Sequence, residues 1–123
     1  TIMAIGLMVE RALAAAETLA GEGIQARVLN MGSIKPIDRA AIEAAATETG
    51  AIVTAEEHNV YGGLGSAVAE VMAENGLGKK LVRLGLQDEF GVSGEGNALL
   101  DHFGMSADNI AATVRRLVAG RSA

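Results

Sequence analysis

Cysteine and tryptophan are absent from this chain of 123 residues, proline occurs once, and aromatic residues amount to 2%. The lack of cysteine excludes disulfides and thiolate metal sites, and it fits a cytoplasmic protein. With so few rings, any core must be built from Ala, Val, Leu, Ile and Met. Positive charge is the minority, 10 Lys and Arg against 15 Asp and Glu, for a net charge of −5. That balance disfavours nucleic acid and anionic membranes as partners. No apolar run approaches the ~20 residues of a membrane-spanning helix. No signal peptide is visible, because the chain opens directly on a strand-like run. Thr1 stands where an initiator methionine would, so residues upstream are expected to be missing.

What is present is a hydrophobic half of the composition, enough for a packed core and too much for a disordered chain. One domain is expected, burying ~65% of the surface its unfolded chain exposes. The apolar pattern alternates between short runs and helical periods. Thr1 to Ile5 reads as a strand buried on both faces, as parallel strands usually are. Val9, Ala12, Leu13, Ala16, Leu19 and Ala20 then recur at helical spacing, and Gly21-Glu22-Gly23 stops that helix. Ile24 to Met31 is the second strand. Asp38 is placed to cap the next helix, with Ile37 and Ile42 as a hydrophobic staple.

The stretch Ala51 to Glu70, AIVTAEEHNVYGGLGSAVAE, gathers the chemistry of the chain. Ala51 to Ala55 suits a buried strand, and Glu56-Glu57-His58 with Tyr61-Gly62-Gly63-Leu64-Gly65-Ser66 reads as a sharp turn. Leu64, Val68, Val71 and Met72 mark one face of the helix that follows, which stops at Asn75-Gly76. Leu81 to Leu86 is the fourth strand, with Gly85 weakening its end. Gln87 to Gly96 reads as loop, a short helix covers about Gly94 to Phe103, and Ser106 caps the last helix with Met105 and Ile110 as a second staple. Strand and helix alternation of this kind implies three-layer α/β/α packing on a parallel sheet, with right-handed crossovers.

Chemical readings of the turn are weak taken singly. Gly63-Leu64-Gly65 begins like a dinucleotide fingerprint, but Val68 replaces its third glycine and the spacing falls at the third strand. Gly62, Gly63 and Gly65 are better read as allowing a tight turn and close helix packing. Glu56, Glu57 and His58 offer an acid and a base, although neighbouring strand residues point in alternating directions. Two histidines 44 positions apart give no zinc spacing, and Asp88-Glu89 lacks the oxygen spacing of a calcium loop. His102 reads as a partly exposed helix-end residue. A receiver domain would want acids after its first strand, where Gly6-Leu7 stands. If both glutamates faced the turn, each would repel a singly charged anion by about 3 kcal/mol at ~6 Å and an effective dielectric near 20. The turn is therefore expected to hold the helix and not to bind phosphate.

Taken in order, several segments resemble the C-terminal domain of the transketolase family, in the form made as a separate C-terminal half. They are Gly6-Leu7-Met8-Val9, Val28 to Met31 with Ile34 to Asp38, EEHNVYGGLGSAVAEVMAE, Phe90 to Gly94, and His102 to Ile110. The related domain of deoxyxylulose-phosphate synthase is the second match, less favoured on Glu57-His58-Asn59 and the tail. The resemblance covers residues 1–123 and implies four parallel strands near 1–6, 25–31, 51–56 and 80–85, in order 2-1-3-4. The family's extra antiparallel edge strand is lacking, and one edge is left uncovered.

The resemblance further implies a structural and assembly domain, inactive alone, of an enzyme that moves a two-carbon ketol unit from a ketose phosphate to an aldose phosphate. Thiamine diphosphate and Mg belong to the complete enzyme, held by N-terminal and middle domains or a separate subunit. No G-D-G…N run for gripping the diphosphate occurs here, so no catalytic, cofactor or metal residue carries over. A dimer or other homo-oligomer is expected. The family-matching surface comprises Glu57, His58, Asn59, Gly62, Gly63 and Gly65. The alternative is a free-standing regulatory module that binds a small anion at the switch point between the first and third strands.

Overall fold

Strands and helices alternate along the chain in this computed structural model, which describes residues 1–86 and 96–121. The order is β1 (Ile2–Ala4), α1 (Met8–Ala20), β2 (Val28–Asn30), α2 (Arg39–Glu48), β3 (Ala51–Asn59), α3 (Leu64–Glu74), β4 (Lys80–Leu86), α4 (Gly96–His102) and α5 (Ala107–Arg121). The strands form one parallel sheet in the order β2-β1-β3-β4, as expected. Ile2 pairs with Val28 on one side and Val53 on the other. Each parallel step needs a crossover, and the helices supply it.

Alternation along the strands splits the core in two. Ile2, Ala4 and Ala55 face α1 and α5, where Met8, Leu19, Met105 and Ile110 are fully buried beside them. Met3 and Ile52 face the opposite way, onto Ile42 of α2 and onto Leu64, Val68 and Val71 of α3. Each such aliphatic side chain stabilises the fold by ~1.5–3 kcal/mol relative to exposure. The caps form where the sequence puts them. Asp38 Oδ1 accepts from Ala41 N at 3.0 Å, and Ser106 Oγ accepts from Asn109 N at 3.1 Å. Each cap contributes about 1 kcal/mol, and both staple pairs join the core clusters.

Three expectations need correction. The buried stripe of α1 is Met8, Ala12, Ala15 and Leu19, and Leu13 is 55% exposed. Alanine serves either side of a helix, so the expected stripe was phased one residue off. β2 is confined to Val28–Asn30, because β1 offers only three residues to pair with. Ile24 and Ala26 pack against the core without joining the ladder. β3 is longer than expected and takes in Glu56, Glu57 and His58. The Phe90–Gly94 segment and most of the 87–96 loop reading lie outside the described residues.

Candidate functional site

β3 continues past Ala55 because β4 gives it a partner. The ladder shifts register between Ala55 and Asn59 and resumes with Asn59 opposite Leu86. Gly85 makes this possible. A Cβ there would stand 2.7 Å from Val60 Cγ1 and 2.9 Å from the His58 carbonyl oxygen. Glu56, Glu57 and His58 are therefore strand residues and not the tip of a turn.

The even members of β3 point toward α3, which brings Glu56 under the start of that helix. Its side chain is fully buried, and its two oxygens accept from Leu64 N at 2.8 Å and Gly65 N at 3.0 Å. These are orphan donors of the first helical turn. A carboxylate at the positive end of a helix, bonded to two amides, gains from both the dipole and charge-assisted hydrogen bonds. The glycines make room for it. A Cβ on Gly63 would stand 2.0 Å from Glu56 Oε2, and one on Gly65 would stand 2.8 Å from Thr54 Oγ1 and from the Arg83 side chain. Gly62, at φ +82°, supplies the left-handed step of the turn.

Glu57 leaves the strand on the opposite face. Its Oε1 lies 3.0 Å from where a Gly6 Cβ would be, at the start of α1. The two glutamates thus do not combine against an anion in one turn; only Glu56 enters it. His58 is half-exposed, its Nδ1 3.5 Å from Glu56 Oε2, an ion pair only for the imidazolium form. Asn59 Oδ1 accepts from Tyr61 N at 2.9 Å, and Gly62 N donates to Ser66 Oγ at 3.0 Å. The structure thus gathers His58, Asn59, Gly62, Gly63 and Gly65 around one turn and sends Glu57 elsewhere. His102, at the end of α4, is exposed and meets Phe103 edge-to-face at 5.1 Å.

Sequence reasoning passed over Arg83. This part-buried β4 residue donates through Nη1 to Val60 O at 3.2 Å and to Ser66 Oγ at 3.3 Å, and its Cζ lies 5.9 Å from the Tyr61 ring centroid. A single charge inside the apolar run Leu81 to Leu86 was the available signal. Thr54 was passed over as well. Its hydroxyl is buried beside Gly65 and has no hydrogen-bond partner among the described residues. Chemically, the α3 start is a filled anion cradle: a phosphate or carboxylate ligand would have to displace Glu56.

The family model for the transketolase C-terminal domain matches residues 1–110. The chain is 50% identical to the 6-deoxy-6-sulfo-D-fructose transketolase subunit of Clostridium sp. (strain MSTE9), over 89% of this chain and 34% of that protein. It is 45% identical to 1-deoxy-D-xylulose-5-phosphate synthase 1 of Geobacter sulfurreducens, over 99% of this chain and 19% of that enzyme. A solved structure described as a split gene transketolase, inactive beta4 tetramer, superposes with a TM-score of 0.89 at 48% identity, covering 96% of this chain and 38% of that one. The chain spans less than two fifths of the length of each of these relatives, 34%, 19% and 38%. With the strand order, the glycine turn and the family match in agreement, the chain belongs to the transketolase C-terminal domain family.

Proposed function

We propose that this chain is the C-terminal structural and assembly domain of a thiamine-diphosphate-dependent transketolase. The complete enzyme transfers a two-carbon ketol unit from a ketose phosphate to an aldose phosphate. In this reading thiamine diphosphate and Mg are held by N-terminal and middle domains, or by a separate subunit, and the assembly is a cytoplasmic homo-oligomer. Its relatives named as transketolase subunits support a multi-part enzyme.

The observation that carries the assembly role is Glu56. Its carboxylate takes the Leu64 and Gly65 amides at the switch point, where doubly wound proteins usually hold a ligand. No group of three or more His, Cys, Asp or Glu side chains is poised for a metal among the described residues. These residues do not fit a diphosphate with its metal, so no step of the transfer is assigned to them. The Glu57 to Gly65 segment is assigned to holding the carboxyl edge in shape. Calorimetry of this chain with thiamine diphosphate and Mg is expected to show no binding, and ketol transfer is expected only once the remainder of the enzyme is supplied. A single micromolar site on this chain would overturn the assignment.

A further inference from the structure

We propose that Asn75 is a site of spontaneous deamidation, and that its conversion releases the carboxyl end of α3. The only co-reactant is water.

Asn75 is the one asparagine of the chain followed by glycine. It is exposed at the end of α3, and Gly76 carries no side chain to crowd an approach to the Asn75 amide. Asn30, Asn59 and Asn109 precede Met31, Val60 and Ile110, whose amides donate to Ala4 O, Leu86 O and Ser106 O at 2.8, 2.9 and 3.0 Å. Those three nitrogens are held in the sheet or in α5.

The step is an acyl transfer within the chain. Hydroxide from solvent takes the Gly76 amide proton, and the nitrogen attacks Asn75 Cγ. A bond forms between them, the Cγ–Nδ2 bond breaks, and Nδ2 leaves as ammonia with a proton from water. The product is a five-membered succinimide. Water then opens the ring at either carbonyl, leaving aspartate, or isoaspartate with the main chain routed through Cγ. Nothing is oxidised or reduced.

The folded turn slows this reaction. At ψ 7° the Gly76 nitrogen lies beside the backbone nitrogen of Asn75 and away from its side chain. Three hydrogen bonds keep it there. Asn75 Nδ2 donates to Val71 O at 2.9 Å, Gly76 N to Ala73 O at 3.3 Å and Leu77 N to Met72 O at 2.9 Å. The last two, with Gly76 at φ +61°, form the glycine stop of the helix. An exposed helix end frays readily, so the nitrogen is released from time to time.

Conversion then keeps the turn from closing as before. A carboxylate cannot donate to Val71 O, and it brings negative charge to the negative pole of α3. Isoaspartate also adds a methylene to the main chain, which moves Gly76 and Leu77 out of register with Ala73 and Met72. Leu77 packs against the core cluster that holds Met72, so the contact that accompanies such a stop is lost with it.

The test ages the complete enzyme in warm, mildly alkaline buffer beside a free peptide of residues 71–79, with peptide mapping by mass spectrometry. Asn75 should become a mixture of isoaspartate and aspartate, about tenfold more slowly than in the peptide because the turn must open first. Asn30, Asn59 and Asn109 should keep their amides. An enzyme that retains Asn75 through ~100 half-lives of the peptide overturns the proposal, since a frayed helix end cannot be protected that far. Aspartate without isoaspartate overturns the succinimide route. For the second half, Asn75→Asp in the complete enzyme should speed amide exchange at Leu77 about fivefold and leave Leu64 and Gly65 unchanged. Unaltered exchange at Leu77 overturns the release of α3, and the aged parent enzyme gives the same readout should the variant fail to fold.

Discussion

The two helices that start at the carboxyl edge of the central strands solve the same problem differently. α3 begins in the protein interior, and its Leu64 and Gly65 amides are met by the buried Glu56 carboxylate. α1 begins at the surface with no side-chain cap. Its Met8 and Val9 amides reach back to the Ile5 and Gly6 carbonyls at 3.3 and 3.1 Å, and Leu7 stands exposed. Water can finish the job at an exposed helix start. At a buried one an unmet donor costs about 1–3 kcal/mol, so the strand beneath must supply an acceptor. Consecutive glutamates, Glu56 and Glu57, reach these two places because a strand sends neighbours to opposite faces.

The comparison breaks most clearly at the glutamates themselves. Glu56→Ala removes two charge-assisted hydrogen bonds and orphans two buried amides, so a loss of about 4 kcal/mol is expected. Glu57→Gln, at the exposed start, should stay within about 0.5 kcal/mol of the parent. Urea unfolding at constant slope measures both, and equal losses would mean that the two helix starts do not differ as described.

A smaller effect separates the glycines of the turn. Gly63→Ala drives a methyl group to 2.0 Å from Glu56 Oε2 and should cost about 3 kcal/mol by overpacking. Gly62→Ala meets nothing within 4 Å and bears only the strain of φ +82°, about 1 kcal/mol. Amide exchange at Leu64 and Gly65 should quicken in the first variant and hold in the second. The reverse pattern would show that turn conformation, and not the carboxylate, secures α3.

Thr54→Val is the smallest change and has the opposite sign. Its hydroxyl is buried with no partner among the described residues, so exchanging it for a methyl group should raise stability by about 1 kcal/mol. A destabilisation of that size in the same urea titration would reveal a hydrogen bond that the hydroxyl makes and would recast Thr54 as part of the polar turn.

Periodicity carried much of the fold. Strands and helices were placed by apolar runs and glycine stops, and Asp38 and Ser106 by their position ahead of apolar helices; the observed caps match. The misphased stripe of α1 shows the limit of that signal. In MVERALAAAETLA alanine occupies buried and exposed positions alike, so only packing against α5 and the sheet fixes the rotation. The end of β3 was equally out of reach. Glu56 to Asn59 looks like a polar turn, and it is strand because β4 runs far enough to pair with it.

The sequence by itself determined the alternation of strands and helices, the caps, the parallel class of the sheet and, through the order of its motifs, the family. All of these depend on local spacing, which is written along the chain. Tertiary structure alone decided that Glu56 is buried and bonded while Glu57 faces the other way. It also decided that Arg83 supports Tyr61 from a different strand, and that Leu7 and Leu13 stay exposed while Met8 is buried. Those outcomes depend on which elements meet across the sheet. Arg83 and Val60 are 23 positions apart in the chain, and only the β3–β4 ladder brings them within 3.2 Å.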